Sequence, residues 1–234
     1  MESLPRTLEI REWHTPATDY PIRTVRNFRL TRTRQWYGHY KYWGMDGNLF
    51  YRVRKPIPIT SLQEKRGRGW HPWMVDDPPQ QRAMEIYAEH CEGKVLVAGL
   101  GLGLILHELA KNPKIEYVCV VEKSPEVMAL VMPSLMHLLE PEKGKCLFAI
   151  TREDFFDFIR NNKGDWDHII VDLWVSHGKD QKTELLFHEV LPTLGELLVR
   201  YPNTPITFHG FQSVSTIKPV SKEMEEVIHK LEVY

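Results

Sequence analysis

Apolar residues in the second part of this chain fall into short unbroken runs separated by longer stretches of helical spacing. Val95 to Ala98, Tyr117 to Val121 and Ile169 to Val171 are apolar throughout and too short for helices. They read as strands buried on both faces, with residues 145–150 and 204–208 as a third and a fifth. Helical spacing marks residues 80–91 (Met84, Ile86, Tyr87, Ala88) and 104–111 (Ile105, Leu106, Leu109, Ala110), the latter stopped by Asn112-Pro113. It also marks residues 124–139, capped by Ser124 and interrupted at Pro133; 183–200, interrupted at Pro192; and 221–234. Strand and helix alternate, which predicts an α/β fold: a Rossmann-like parallel sheet of order 3-2-1-4-5 with helices on both faces.

The first 72 residues carry a different pattern and are expected to form a separate, small N-terminal β region, with the Rossmann-like domain over 73–234. Residues 28–33 alternate, 35–43 are dense in aromatics, and Asp46-Gly47 marks a turn before the strand-like 49–54. Residues 1–25, with Pro5, Pro16 and Pro21, read as an irregular arm, and 55–69 as a basic loop.

Charge sharpens this division. The chain of 234 residues has a formal net charge of −1, yet residues 1–70 carry net +8 and the remainder net −9. Arginines interleaved with aromatics (Arg32, Arg34, Trp36, Tyr37, Tyr40, Tyr42, Trp43) would suit a nucleic-acid platform, or equally a small β lid whose aromatics are its own core. Cys91, Cys119 and Cys146 form no metal-binding spacing, so no metal and no disulfide framework are expected. No run is long enough to span a membrane and the start is not a secretory signal; a cytoplasmic protein is expected.

The chemistry concentrates at strand ends. Val95 to Ala98 runs into Gly99, Gly101 and Gly103, a sharp turn whose backbone N–H groups would face a ligand. A dinucleotide fingerprint needs glycine where Leu104 stands, and no P-loop lysine follows. Nineteen residues past Gly103, the next strand ends at Glu122, placed to take both hydroxyls of a ribose and, at a strand tip, expected to matter little to stability. The third strand leads to Asp154 and Phe155, where the carboxylate could cap the following helix, meet a ligand, or do both. Ile169 to Val171 delivers Asp172 to the same edge.

Gly-x-Gly-x-Gly at 99–103 with Glu122 resembles the first motifs of class I S-adenosylmethionine-dependent methyltransferases and of the spermidine synthases that share their fold. Asp172-Leu173-Trp174 is similar to a phage and bacterial spermidine-synthase-like group. The resemblance, over about residues 74–210, implies an S-adenosylmethionine or decarboxylated S-adenosylmethionine site formed by Gly99, Gly101, Gly103, Glu122, Asp154 and Phe155. In it, Asp154 would face the adenine amino group and Asp172 would be the catalytic group. It also points to Gln80, Gln81, Glu85 and Tyr87 as substrate-lining residues, with Trp174 and His177 shaping the pocket. Two departures count against aminopropyl transfer: the second acid that spermidine synthases place after this aspartate is absent, and so is their acidic glycine loop. Asp77-Pro78-Pro79 resembles the motif of amino-methylating DNA enzymes, but Gln80 stands where an aromatic is required and only Met74-Val75 precede it.

The expected activity is therefore methyl transfer to an unidentified acceptor, a small molecule in the first instance. The alternatives are aminopropyl transfer to a polyamine, and a non-catalytic cofactor-binding module that docks on nucleic acid through its basic N-terminal region. No membrane partner is expected, and the oligomeric state is left open.

Overall fold

A computed structural model describes residues 6–35, 38–44, 47–139, 146–162, 164–174 and 185–210. Seven strands come first: β1 (Arg6–Ile10), β2 (Arg23–Val25), β3 (Phe28–Gln35), β4 (Gly38–Gly44), β5 (Gly47–Val53), β6 (Ile57–Arg66) and β7 (Gly69–Val75), with a 3-10 turn at Pro16–Asp19. They form two sheets, β1-β5-β4 and β2-β3-β6-β7. The antiparallel β4–β5 hairpin follows the expected Asp-Gly turn, whose Asp46 lies outside the described residues.

Two expectations fail in this region. The arm is not irregular, because β1 pairs in parallel with β5. Residues 55–69 are not a loop, because β6 is an inner strand of its sheet, paired with β3 and β7, and β7 runs on to Val75. Prolines disguised both strands. Pro58 sits where β7 does not reach, since β7 pairs only from Ser61 onward, and Pro72 lies on the sheet edge. At Pro72 the ladder slips: Leu62 faces Met74 and Gln63 faces Pro72, which leaves Trp73 as the extra residue of a β-bulge.

The remainder matches the α/β expectation. Strands β8 (Gly93–Ala98), β9 (Ile115–Val121), β10 (Leu147–Thr151), β11 (His168–Val171) and β12 (Ile206–Phe208) form one parallel sheet in the order β10-β9-β8-β11-β12, which is 3-2-1-4-5 within this unit. Its helices are α1 (Pro78–Glu89), α2 (Leu104–Lys111), α3 (Pro125–Leu139), α4 (Phe155–Asn161) and α5 (Leu191–Arg200), with a π-helical turn at Leu186–Val190 leading into α5. Ser124 caps α3 by accepting the Val127 N–H at 3.1 Å, and Pro133 lies inside that helix without ending it. The expected helix over 221–234 lies outside the described residues. Among the described residues no helix is long and apolar enough to cross a membrane.

Successive residues of each strand point to opposite faces, and the core divides accordingly. Val95, Val97, Val118, Val120 and Ile170 pack with α1, α2, α3 and the N-terminal β region. Leu96, Ala98, Cys119, Val121, Ile169 and Val171 pack with α4 and α5. Both faces being covered is why the centres of β8, β9 and β11 are apolar, and a polar contact between neighbouring strands, His168 with Thr207, is itself buried and satisfied. The carboxylates accordingly stand at the strand ends.

The β region is fastened to the core at the hinge. Asp76 is completely buried; its carboxylate accepts the Thr15 hydroxyl and, at 2.6 Å, the Thr60 N–H, and its carbonyl accepts the Trp13 indole N–H at 3.1 Å. The Tyr20 hydroxyl donates to the Leu102 carbonyl at 3.0 Å, reaching the glycine turn itself. Part of the basic excess serves the same purpose, Arg23 donating to the Leu130 carbonyl in α3 at 3.1 Å, whereas Arg32 donates within the β region to the Tyr20 carbonyl at 2.9 Å.

Candidate functional site

The turn after β8 is as tight as its glycines imply. Gly99, at φ +92°, stands so close to the end of β11 that a Cβ would lie 2.4 Å from the Asp172 carbonyl oxygen. Gly101, at φ +52°, is covered from the other side, and a Cβ there would meet the Met74 sulfur of β7 at 2.5 Å. That sulfur also accepts the Leu102 N–H at 3.1 Å. Gly103 caps α2, and its Cβ position is filled by Leu135 of α3, so it serves packing rather than the open face of the turn.

Glu122 ends β9 beside this turn. It is only 8% exposed, and its carboxylate is already engaged: Oε2 accepts the Leu100 N–H at 2.9 Å and Oε1 the Ser124 N–H at 2.7 Å. The side chain therefore ties the glycine turn to the start of α3, which overturns the expectation that it matters little to stability. Each oxygen keeps one acceptor position, enough for two further donors. Asp154 caps α4, with Oδ1 accepting the Phe156 N–H at 2.9 Å, so the capping role is present and Oδ2 remains to accept. Phe155 is buried in the core beside it, whereas Phe156 is half-buried.

Asp172 begins the loop after β11, its N–H donating to the Ala98 carbonyl at 3.0 Å. Burial pushes its carboxyl above the usual carboxylate range, against the opposing influence of His209. His209 follows β12 and donates its N–H to the Val171 carbonyl at 2.9 Å. Its Nδ1 lies 3.2 Å from the Tyr87 hydroxyl, and the two rings meet edge to face. Asp77, which caps α1 through the Gln80 N–H at 3.0 Å, has its carboxyl pushed up by burial and also feels His209.

One cavity of about 740 Å³ collects these groups at the C-terminal edge of the sheet, where open α/β sheets bind ligands. Gly99, Gly101, Glu122, Asp154, Phe155, Asp172 and Trp174 all line it. Trp174 stacks on Phe208 with ring centres 6.0 Å apart, which fixes that wall. The substrate-lining expectations fare differently from the sheet-edge residues. Gln81 turns toward α2, donating to Glu108 at 2.8 Å; Glu85 pairs with Arg82 at 3.0 Å on α1; Gln80 and Tyr87 are not in the cavity wall. His177 lies outside the described residues.

Sequence reasoning missed the roof. Phe28 of β3, Glu64 and Arg66 of β6 and Trp73 of β7 line the same cavity, so the N-terminal β region closes over the sheet edge. No local signal marks these residues as wall residues, because the bulge that leaves Trp73 unpaired is a property of strand pairing. Of the proposed aromatic platform, Arg32 is engaged with Tyr20, and the side chains of residues 36–43 lie outside the described ones. Lys123, Ser124, Glu126, Phe156, Leu173 and Glu189 complete much of the wall.

No protein-family model matches this chain, and no curated protein does. Among solved structures, a conserved hypothetical protein of Streptococcus pyogenes is 14% identical, with 54% of this chain and 72% of that chain covered and a TM-score of 0.40. The precorrin-6y C5,15-methyltransferase of Geobacter metallireducens is 10% identical over 66% of this chain and 71% of its own, at a TM-score of 0.40. The precorrin 8w decarboxylase of Methanobacterium thermoautotrophicum is 16% identical over 65% and 69%, at 0.39. Likenesses this distant say nothing about the chemistry of this chain.

Proposed function

We propose that this chain is a group-transfer enzyme that uses S-adenosylmethionine, with methyl transfer to an acceptor held beside Asp172 as its reaction. The observation that carries this reading is the convergence of the glycine turn, Glu122, Asp154 and Asp172 on one cavity. The residues fit the cofactor. Gly99 and Gly101 line the cavity with backbone, their Cβ positions being taken by the Asp172 carbonyl and the Met74 sulfur, while Glu122 retains two acceptor positions for a ribose diol and Asp154 one for an exocyclic amino group. The aromatic edge of Phe156 beside Asp154 suits a flat base.

The bound cofactor would supply an electrophilic carbon next to a positive sulfur. Everything else falls to the chain: aligning the acceptor, excluding water and accepting a proton. Asp172, raised by burial, is suited to accept a proton from an amine or hydroxyl, and Leu173 and Trp174 keep that end of the cavity apolar. A second reading, aminopropyl transfer from the decarboxylated donor, is favoured by the balance of charge in the wall. Glu64, Glu122, Glu126, Asp154, Asp172 and Glu189 face only Arg66 and Lys123 there, which suits a ligand richer in positive charge.

Calorimetry with S-adenosylmethionine, its decarboxylated form and NAD side by side tests both readings. Tight binding of NAD with no response to either sulfonium would overturn them, and a strong preference for the decarboxylated donor would select the second. Glu122→Gln is expected to raise the cofactor Kd by about 10- to 100-fold, the range for a hydrogen bond to a charged group. The same change should lower the melting temperature without ligand, because Leu100 and Ser124 lose part of their acceptor.

A further inference from the structure

We infer that the outer half of this cavity takes a nucleobase presented by single-stranded nucleic acid, with neighbouring phosphates held by the tip of the β6–β7 hairpin. The inference rests on the cofactor reading above, which assigns the inner half, beside Glu122 and Asp154, to the adenosyl group. The outer half has another composition. Its roof is aromatic: Trp73, left unpaired by the bulge, meets Phe28 edge to face with ring centres 5.9 Å apart, and the Arg66 guanidinium lies 5.6 Å from the Trp73 ring centre. Flat π-faces next to a guanidinium are the surfaces on which bases stack without regard to sequence.

The cavity's two cations stand at its mouth, beside Glu64 and the exposed Glu189. Arg66 and Lys123 are exposed and line the cavity from opposite sides, the hairpin and the loop after β9. Exposed Lys65 and Arg68 continue the charge along the hairpin tip, where Gly67 at φ +58° makes the tight turn. On the far face of the hairpin the Arg29 guanidinium stacks on Trp70 at 4.4 Å. Glu64, paired with Arg66 at 2.7 Å, offsets part of this charge but holds the guanidinium over the roof. A ligand that suits both ends carries anionic groups outside and a flat, amino-bearing group inside. A nucleotide within a strand does so, its base toward the acidic floor and its phosphates toward Arg66, Lys123, Lys65 and Arg68. The cavity, at about 740 Å³, is in the upper part of the roughly 300–1,000 Å³ range for ligand sites, room for a cofactor and part of a second group.

The test is fluorescence anisotropy with labelled single-stranded RNA and DNA of about a dozen nucleotides, within the site sizes such grooves cover. It is run with and without S-adenosylhomocysteine, beside AMP, CMP and a duplex of the same sequence. Expected is binding of single strands with a log Kd–log salt slope of magnitude about 2, as for roughly three phosphates. Arg68→Glu should reduce that slope by about one unit; this residue lies in the exposed turn, so its melting temperature should stay at the wild-type value. Trp73→Ala should weaken strand binding about tenfold, with Trp73→Phe recovering most of the loss. S-adenosylhomocysteine should change strand affinity, and the strand should change its affinity by the same factor. Strand binding that ignores Trp73→Ala, duplex bound as tightly as single strands, or free mononucleotides bound as tightly as the strand would each overturn the inference. Failure of S-adenosylhomocysteine to bind the wild-type protein in calorimetry would instead overturn the cofactor reading, while the Trp73 and salt responses still decide for or against the nucleobase site.

Discussion

In the parallel sheet, Val95, Leu96, Val97 and Ala98 have almost no exposed surface, and the strands hold together by packing two helical layers against them. In the β region, Ala17, Tyr20, Leu30, Ile59 and Leu62 join the apolar core on one face of that sheet, and buried polar groups add to the attachment: Asp76 with Thr15, Thr60 and Trp13, Tyr20 with Leu102, and Arg23 with Leu130. Packing is spread over many contacts and tolerates a single loss; a buried carboxylate holding the Thr15 hydroxyl and the Thr60 N–H does not. The two regions therefore fail differently, although both form walls of one cavity. The parallel core supplies the sheet-edge carboxylates, and the β region, packed on one face of that core and pinned by polar groups at the hinge, supplies the roof.

The sharpest way to separate them is Asp76→Ala. It strands the Thr60 N–H and the Thr15 hydroxyl in a buried place, at a cost of about 4 kcal/mol in all. In amide exchange, β6 and β7 should lose protection while β8 and β11 keep theirs. Equal loss in both sheets would mean that the regions unfold as one unit.

The two regions should also answer pH in opposite directions. His168, in β11, is 5% exposed, with Nε2 2.9 Å from the Thr207 hydroxyl, and burial pulls its imidazole down to about 4. The folded protein keeps it neutral while the unfolded chain takes up a proton below about 6.5. Its contribution is therefore present at neutral pH and lost as pH falls from about 6.5 to about 4, some 3 kcal/mol in total. Asp76 works the other way. Burial raises its carboxyl despite the hydrogen bonds from Thr15 and Thr60. Its contribution is full below the ordinary carboxylate pKa and is lost as pH rises through the raised value. Urea denaturation between pH 4 and 7 should show the acid loss shrink in His168→Asn; an unchanged profile would exclude His168 as its source.

The smallest effect is expected where the regions touch. Gly101→Ala must relieve a positive φ and displace the Met74 sulfur, for about 1–2 kcal/mol. On a Met74→Ala background the cost should fall by about 0.5–1 kcal/mol, read as the coupling term of a double-mutant cycle. Additive effects would mean that backbone strain alone sets the cost.

The parallel sheet, its strand order and the strand-end positions of Gly99, Glu122, Asp154 and Asp172 are legible in the residue pattern alone. These follow from local rules: strands buried on both faces are apolar at their centres, and the carboxylates then stand where the strands stop. Helix caps at Ser124 and Asp154 obey equally local geometry. Long-range packing, by contrast, makes Glu122 a structural acceptor as well, engages Gln81 with Glu108 and Glu85 with Arg82, and brings His209 to Tyr87. It sets the roof as well. β6 was hidden by prolines that are tolerated because its neighbouring strand is short there, and Trp73 reaches the cavity because the β6–β7 ladder slips by one residue. Pairing between strands depends on which partners meet and in what register, and no periodicity within a single strand carries that information.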